Sequence, residues 1–142
     1  MIGPSTRTTN SIESTDHAKI PELWETAMTD QDLAAVPTRA DDCFYAVLWK
    51  YESDETGAYN QVVGVSVNNP ELYQENEKWQ VVPIPSEQRK VFDASGQQPE
   101  SLIATWEKIW ELSASGDLPR AFSTDVEVHR GATTETWISV TG

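Results

Sequence analysis

One order of elements occurs twice in this chain of 142 residues, and that recurrence constrains the fold more than any single motif. In "IPELWETAM" (20–28), Ile20, Leu23, Trp24 and Ala27 make one apolar stripe. Pro21 suits the first turn, and Glu22 and Glu25 favour the N-terminal end, so the segment predicts a helix. Before it, the Ser- and Thr-rich stretch 4–15 alternates weakly, as an edge strand does. After it, "CFYAVLWKY" (43–51) is rich in aromatic and β-branched residues and predicts a strand. "QVVGVSV" (61–67) predicts the return strand, across the polar turn 52–60 that contains Gly57.

The second half repeats the order. Extended segments over 79–96 are interrupted by Pro83 and Pro85. Leu102, Ile103, Trp106, Ile109 and Trp110 then fall at helical spacing within 99–115, with Gly116 as a stop. Segments 121–130 and 134–142 form a second hairpin around Gly131. Trp24-Glu25 and Trp106-Glu107 are 82 positions apart, 106 less 24, and so are Tyr45 and Glu127, 127 less 45. The expected architecture is a single α+β domain over 1–142, a duplicated βαββ unit with halves at about 5–68 and 79–141. Its antiparallel sheet carries two main helices on one face, with a central cleft between the halves for a ligand.

Composition narrows the function. With 23 acids against 10 scattered bases the net charge is −13, and a nucleic-acid interface would need a basic stripe. Direct nucleic-acid binding is therefore not expected, whereas an acidic surface steers cationic partners inward. No apolar run approaches a membrane span, the N-terminus "MIGPSTRTTN" has no signal-like apolar region, and Cys43 is the single cysteine. These point to a cytoplasmic protein without a membrane partner. His17, His129 and Cys43 show no metal-ligand spacing, and neither a nucleophile elbow nor a phosphate-cradling loop occurs, so no metal or cofactor is expected.

Six tryptophans are more than a core this size needs. Trp24, Trp106 and Trp110 lie on helices, where an aromatic stripe serves packing or walls a cleft. On the strand 43–51, Tyr45, Trp49 and Tyr51 share one face and Phe44, Ala46 and Leu48 the other; either face suits the core. Trp137 falls with Glu135 and Ser139 on one face of the last strand. In "DVEVH", Val126 and Val128 alternate with Glu127. That acid is either solvated or covered, and a covered carboxylate needs compensation.

The βαββ duplication, "IPELWETAM", "YAVLWKYESDETGAYNQVVGVSV", "TWEKIW" and "RAFSTDVEVH" in linked order resemble the GyrI-like effector-binding domains of AraC- and MerR-type regulators. The likeness is greatest to the stand-alone effector-binding proteins of integron gene cassettes and covers about residues 5–140. It leaves no stretch for a helix-turn-helix. The resemblance implies two SH2-like halves and a cleft for lipophilic cations, with aromatic walls and a buried glutamate. The family glutamate matches Glu127 and the family tryptophan matches Trp24. His129 stands where the family often has an aromatic residue.

The expected ligand-binding set is Glu127, Trp24, Tyr45, Trp49, Tyr51, Trp106 and Trp137. The function it implies is multidrug-type binding of lipophilic, cationic small molecules, as a stand-alone sensor or sequestering protein, with a separate transcription regulator as a partner. An alternative is hydrolysis of strained-ring electrophiles, with Glu127 as base and Tyr45 as proton donor.

Overall fold

In chain order the elements of the computed structural model are β1 (Ile2–Gly3), β2 (Ser5–Thr9), α1 (Asn10–Glu13), α2 (Ile20–Thr29), α3 (Gln31–Ala34), β3 (Phe44–Trp49), β4 (Ala58–Gly64), β5 (Gln80–Val81), β6 (Arg89–Asp93), α4 (Glu100–Ser115), β7 (Asp125–Arg130) and β8 (Thr133–Ser139). The structure describes residues 1–141.

A six-stranded antiparallel sheet runs in the order β2-β4-β3-β7-β8-β6, and β1 pairs with β5 beside it. The order reads the same from both ends once β2, β4 and β3 are exchanged for β6, β8 and β7. The two βαββ units therefore join at the β3–β7 pair, and the α+β duplication expected from the sequence is present.

Both faces of this sheet are covered. On one face lie Ala46 and Val63 beneath α2, and Leu48 and Ile138 beneath Trp106 and Ile109 of α4. On the other, Tyr45, Val47, Val62, Val126 and Val128 pack with Met1 and Val82, which come from the N-terminal strand and the stretch after β5. Two covered faces explain why "YAVLWKY" offered no clear inside and outside: a strand buried on both sides loses its alternation of apolar and polar residues.

The sequence offset of 82 holds only in part. Ala46 pairs with Glu127 and Tyr45 with Val128, so Glu127 is on the helix face and Tyr45 on the opposite one. Equivalent strand positions of a duplication must face the same way, so Tyr45 and Glu127 are not equivalent. Trp24 and Trp106, in contrast, both reach the space between the helices.

Element ends also differ from expectation. β4 starts at Ala58 and stops at Gly64, because β1 crosses there. A Cβ on Gly64 would meet the Ile2 carbonyl oxygen at 1.9 Å, and one on Gly3 would meet the Val63 oxygen at 2.0 Å, so only glycines allow this approach. β7 starts at Asp125 rather than at Ala121, since Phe122 takes a left-handed backbone, φ 52°, that ends any regular extended run.

Candidate functional site

A cavity of about 190 Å³ lies between α2 and α4 on the helix face of the sheet. Ile20 and Trp24 of α2 form one wall. Leu102, Ile103, Trp106 and Trp110 of α4 form the other, and Ile103 remains half exposed at the edge. Leu48 and Gln61 lie on the floor with Glu127, while Tyr51, Tyr59 and Arg120 close one side. Asn10, Glu13 and Glu55 supply its polar margin.

Glu127 is 4% exposed, so the carboxylate is covered. Its compensation comes from two side chains. The Trp106 indole Nε1–H donates to Oε2 at 2.9 Å, and the His129 Nε2 lies 3.0 Å from Oε1. The His129 ring meets Trp24 edge-on, with centroids 4.6 Å apart. His129 is thus not a free surface residue. It bridges the Trp24 wall to the acid.

A second polar group sits two residues back on β7. Asp125 is fully buried and accepts from Arg120 Nη2 at 2.8 Å, from the Tyr51 hydroxyl at 2.5 Å, and from the backbone N–H and hydroxyl of Ser139. The Arg120 guanidinium packs over Phe122 at 4.3 Å and lies within 6 Å of the Tyr51 and Trp106 rings. Burial, with Asp125 next to it, holds the Tyr51 phenol protonated far above its ordinary range despite Arg120.

Glu13 is a third anchored acid. Its carboxylate accepts from Thr8 Oγ1 at 2.6 Å and from the backbone N–H groups of Lys19 and Ile20. Lys19 caps α2 without a side-chain bond of its own, so Glu13 serves the helix start from outside. Tyr59 feels this arrangement: burial first, then Glu13 and Glu127, push its phenol pKa up. Three acids, Glu13, Glu55 and Glu127, line the cavity against one arginine, Arg120, which Asp125 already balances, so the lining is net negative.

Of the expected residues, Glu127, Trp24, Tyr51 and Trp106 come together at this cavity. Tyr51 does so against its strand parity. Lys50 has φ 52°, and this left-handed residue turns Tyr51 from the Tyr45 face to the helix face. Tyr45, Trp49 and Trp137 do not reach the cavity and are corrected here. All three pack on the opposite face with Val126 and Val128, and Val126 pairs directly with Trp137. The Tyr45 hydroxyl donates to Asp41 instead, at 2.6 Å. Gln61, Tyr59 and Arg120 lack any such expectation, and Trp110, weighed between packing and cleft wall, lies outside the expected set yet lines the cavity. Gln61 had one visible signal, a polar residue heading a run of valines; Arg120 had none, because Asp125 reaches it only in the folded chain.

An antiparallel sheet with two helices on one face, and between them an aromatic cavity with a buried carboxylate, defines a small-molecule-binding α+β domain. The chain belongs to the Cass2 family of integron-associated effector binding proteins, whose model matches residues 1–140. It is similar to an integron cassette protein from the mobile metagenome of Vibrio cholerae, at 31% identity and a TM-score of 0.80, covering 99% of this chain and 88% of that one. It is also similar to a Bacillus subtilis (strain 168) protein named "Putative transcriptional regulator protein YobU". The two are 29% identical over 113 residues, 78% of this chain and 69% of that protein. Effector binding is thus its general function. Among the described residues no helix is long and apolar enough to cross a membrane.

Proposed function

We propose that this protein binds lipophilic organic cations in the cavity between α2 and α4, with Glu127 meeting the positive charge. The observation that carries this reading is a carboxylate 4% exposed among Trp24, Trp106 and Trp110, with two side-chain partners. A carboxylate so placed gains from a cation that approaches it without water. The aromatic rings add cation–π attraction of about 0.5–2 kcal/mol each. Glu13, Glu55 and the overall charge of −13 draw cations towards the same opening. The working unit is the whole chain as one cytoplasmic effector-binding domain, acting as a sensor or sequestering protein for a separate transcription regulator; the name of the Bacillus relative supports that setting.

A hydrolase built on Glu127 and Tyr45 has no support in this geometry, since the sheet separates the two side chains. Tryptophan quenching tests the binding reading, with tetraphenylphosphonium and rhodamine 6G beside neutral molecules of like size. Micromolar binding is expected for the cations. Glu127→Gln keeps an acceptor for the Trp106 N–H and removes the charge, so it weakens the cations by about tenfold or more and the neutral molecules little. Equal weakening of both sets would end the proposal.

A further inference from the structure

Gln61 is 1% exposed in the middle of β4, on the same face as Leu48 and lining the cavity. Its backbone is held between β2 and β3, opposite Thr6 and Leu48. Among the described residues its carboxamide takes no part in a side-chain hydrogen bond, although nearly every other buried polar group of the cavity has a partner. Nε and Nη1 of Arg120, a side chain 2% exposed, are fully covered and without partners, whereas the Gln61 carboxamide is not sealed off in this way and faces the cavity. A carboxamide without a protein partner on a cavity wall contributes nothing to folding and is free to bond a guest.

The strand register places these groups in one line. Leu48 pairs with Gln61 on one side and with Asp125 on the other, and Asp125 holds Arg120. Gln61, Leu48 and the Arg120–Asp125 pair therefore form a row across the floor. Ala46 and Glu127 form the next row of the same face, two residues along β3, which is roughly 7 Å. One row carries the Glu127 charge, and the other carries a balanced ion pair and the unpartnered Gln61 carboxamide.

We infer that the ligand of this cavity has two polar poles: a positive charge set against Glu127 and a neutral hydrogen-bond acceptor received by the Gln61 carboxamide beside Arg120, at positions two strands and one row apart, roughly 12 Å from backbone to backbone. The acceptor is a carbonyl, ester or amide oxygen. It is neutral because Asp125 already balances Arg120, and Glu13 and Glu127 make the cavity unfavourable for an added anion. Leu48, beside Gln61 on the floor, fits a flat apolar body joining the poles. The inference rests on the proposed cation site in sharing its cavity, yet it assigns a different residue and a different group of the ligand.

Three dyes and one variant test it. Rhodamine 6G carries the charge and an ester; the rosamine cation lacking that ester carries the charge alone; dihydrorhodamine 6G carries the ester without the charge. Wild-type protein is expected to bind rhodamine 6G roughly tenfold more tightly than the rosamine. Gln61→Met is expected to abolish that preference, weakening rhodamine 6G about tenfold more than the rosamine. Its melting temperature should equal or exceed that of the wild type, because no protein partner is stranded. Equal affinity of the wild type for the two cations, equal weakening of both by the variant, or a clear loss of its thermal stability would each overturn the inference. Dihydrorhodamine 6G binding as tightly as rhodamine 6G, with the Gln61 effect intact, would overturn the cation reading alone.

Discussion

Glu127 shares its carboxylate between an indole N–H and an imidazole, and a guest must fit around both. The Trp106 contact fixes Oε2 from the α4 side, while His129, backed by Trp24, holds Oε1 from the sheet. The two tryptophans therefore do double duty, as wall and as support of the acid. Trp106→Phe keeps most of the packing and deletes one donor. The variant should lose about 1–3 kcal/mol in urea unfolding, the cost of a buried acceptor left short of a partner. Combined with Glu127→Gln it should lose less than the two single variants together, because the variants share that partner. A simple sum would mean that the indole N–H does not support the acid.

At the scale of elements, two backbone positions decide where side chains arrive. Lys50 ends β3 in a left-handed conformation and sends Tyr51 to Asp125 instead of leaving it beside Trp49. Gly64 ends β4 where the Ile2 carbonyl oxygen occupies the place of a Cβ. The obstacle at Gly64 is backbone on both sides, which cannot swing away as a side chain can. Gly64→Ala should therefore separate β1 from β4 and destabilise the protein by about 2–4 kcal/mol, at the severe end for a single methyl. The check is chemical denaturation together with amide exchange of Ile2 and Val65, whose backbone groups bond to each other. Wild-type protection there would show that the crossing tolerates the methyl.

For the whole molecule, three buried phenols link stability to alkaline pH. Burial is the first cause at each. Asp125 adds to it at Tyr51, Glu13 and Glu127 at Tyr59, and Asp41 at Tyr45. All three hold their protons more firmly folded than unfolded. Their contribution is fully present below the unfolded value near pH 10 and is lost as pH rises through the folded values. Unfolding free energy measured in urea between pH 8 and 11 should therefore fall above about pH 10, and Tyr59→Phe should make the fall shallower. A flat profile would contradict the burial of these hydroxyls.

The sequence by itself determined the duplicated α+β order, because helical and strand periodicities are local and occurred twice. It also singled out Glu127, an acid between two valines, and tryptophans at helical spacing that face the cavity. Tertiary structure alone decided which strand face meets the helices. Both faces of β3 are apolar and both are covered, so alternation carried no direction, and Tyr45, Trp49 and Trp137 went to the far side. It also decided the partners of the buried charges. Arg120 and Asp125 are five residues apart but meet only after Phe122 turns the chain, and Gln61 joins their row through a strand register no local pattern records. Periodicity reports which residues seek burial, whereas pairing across strands settles beside which group each is buried.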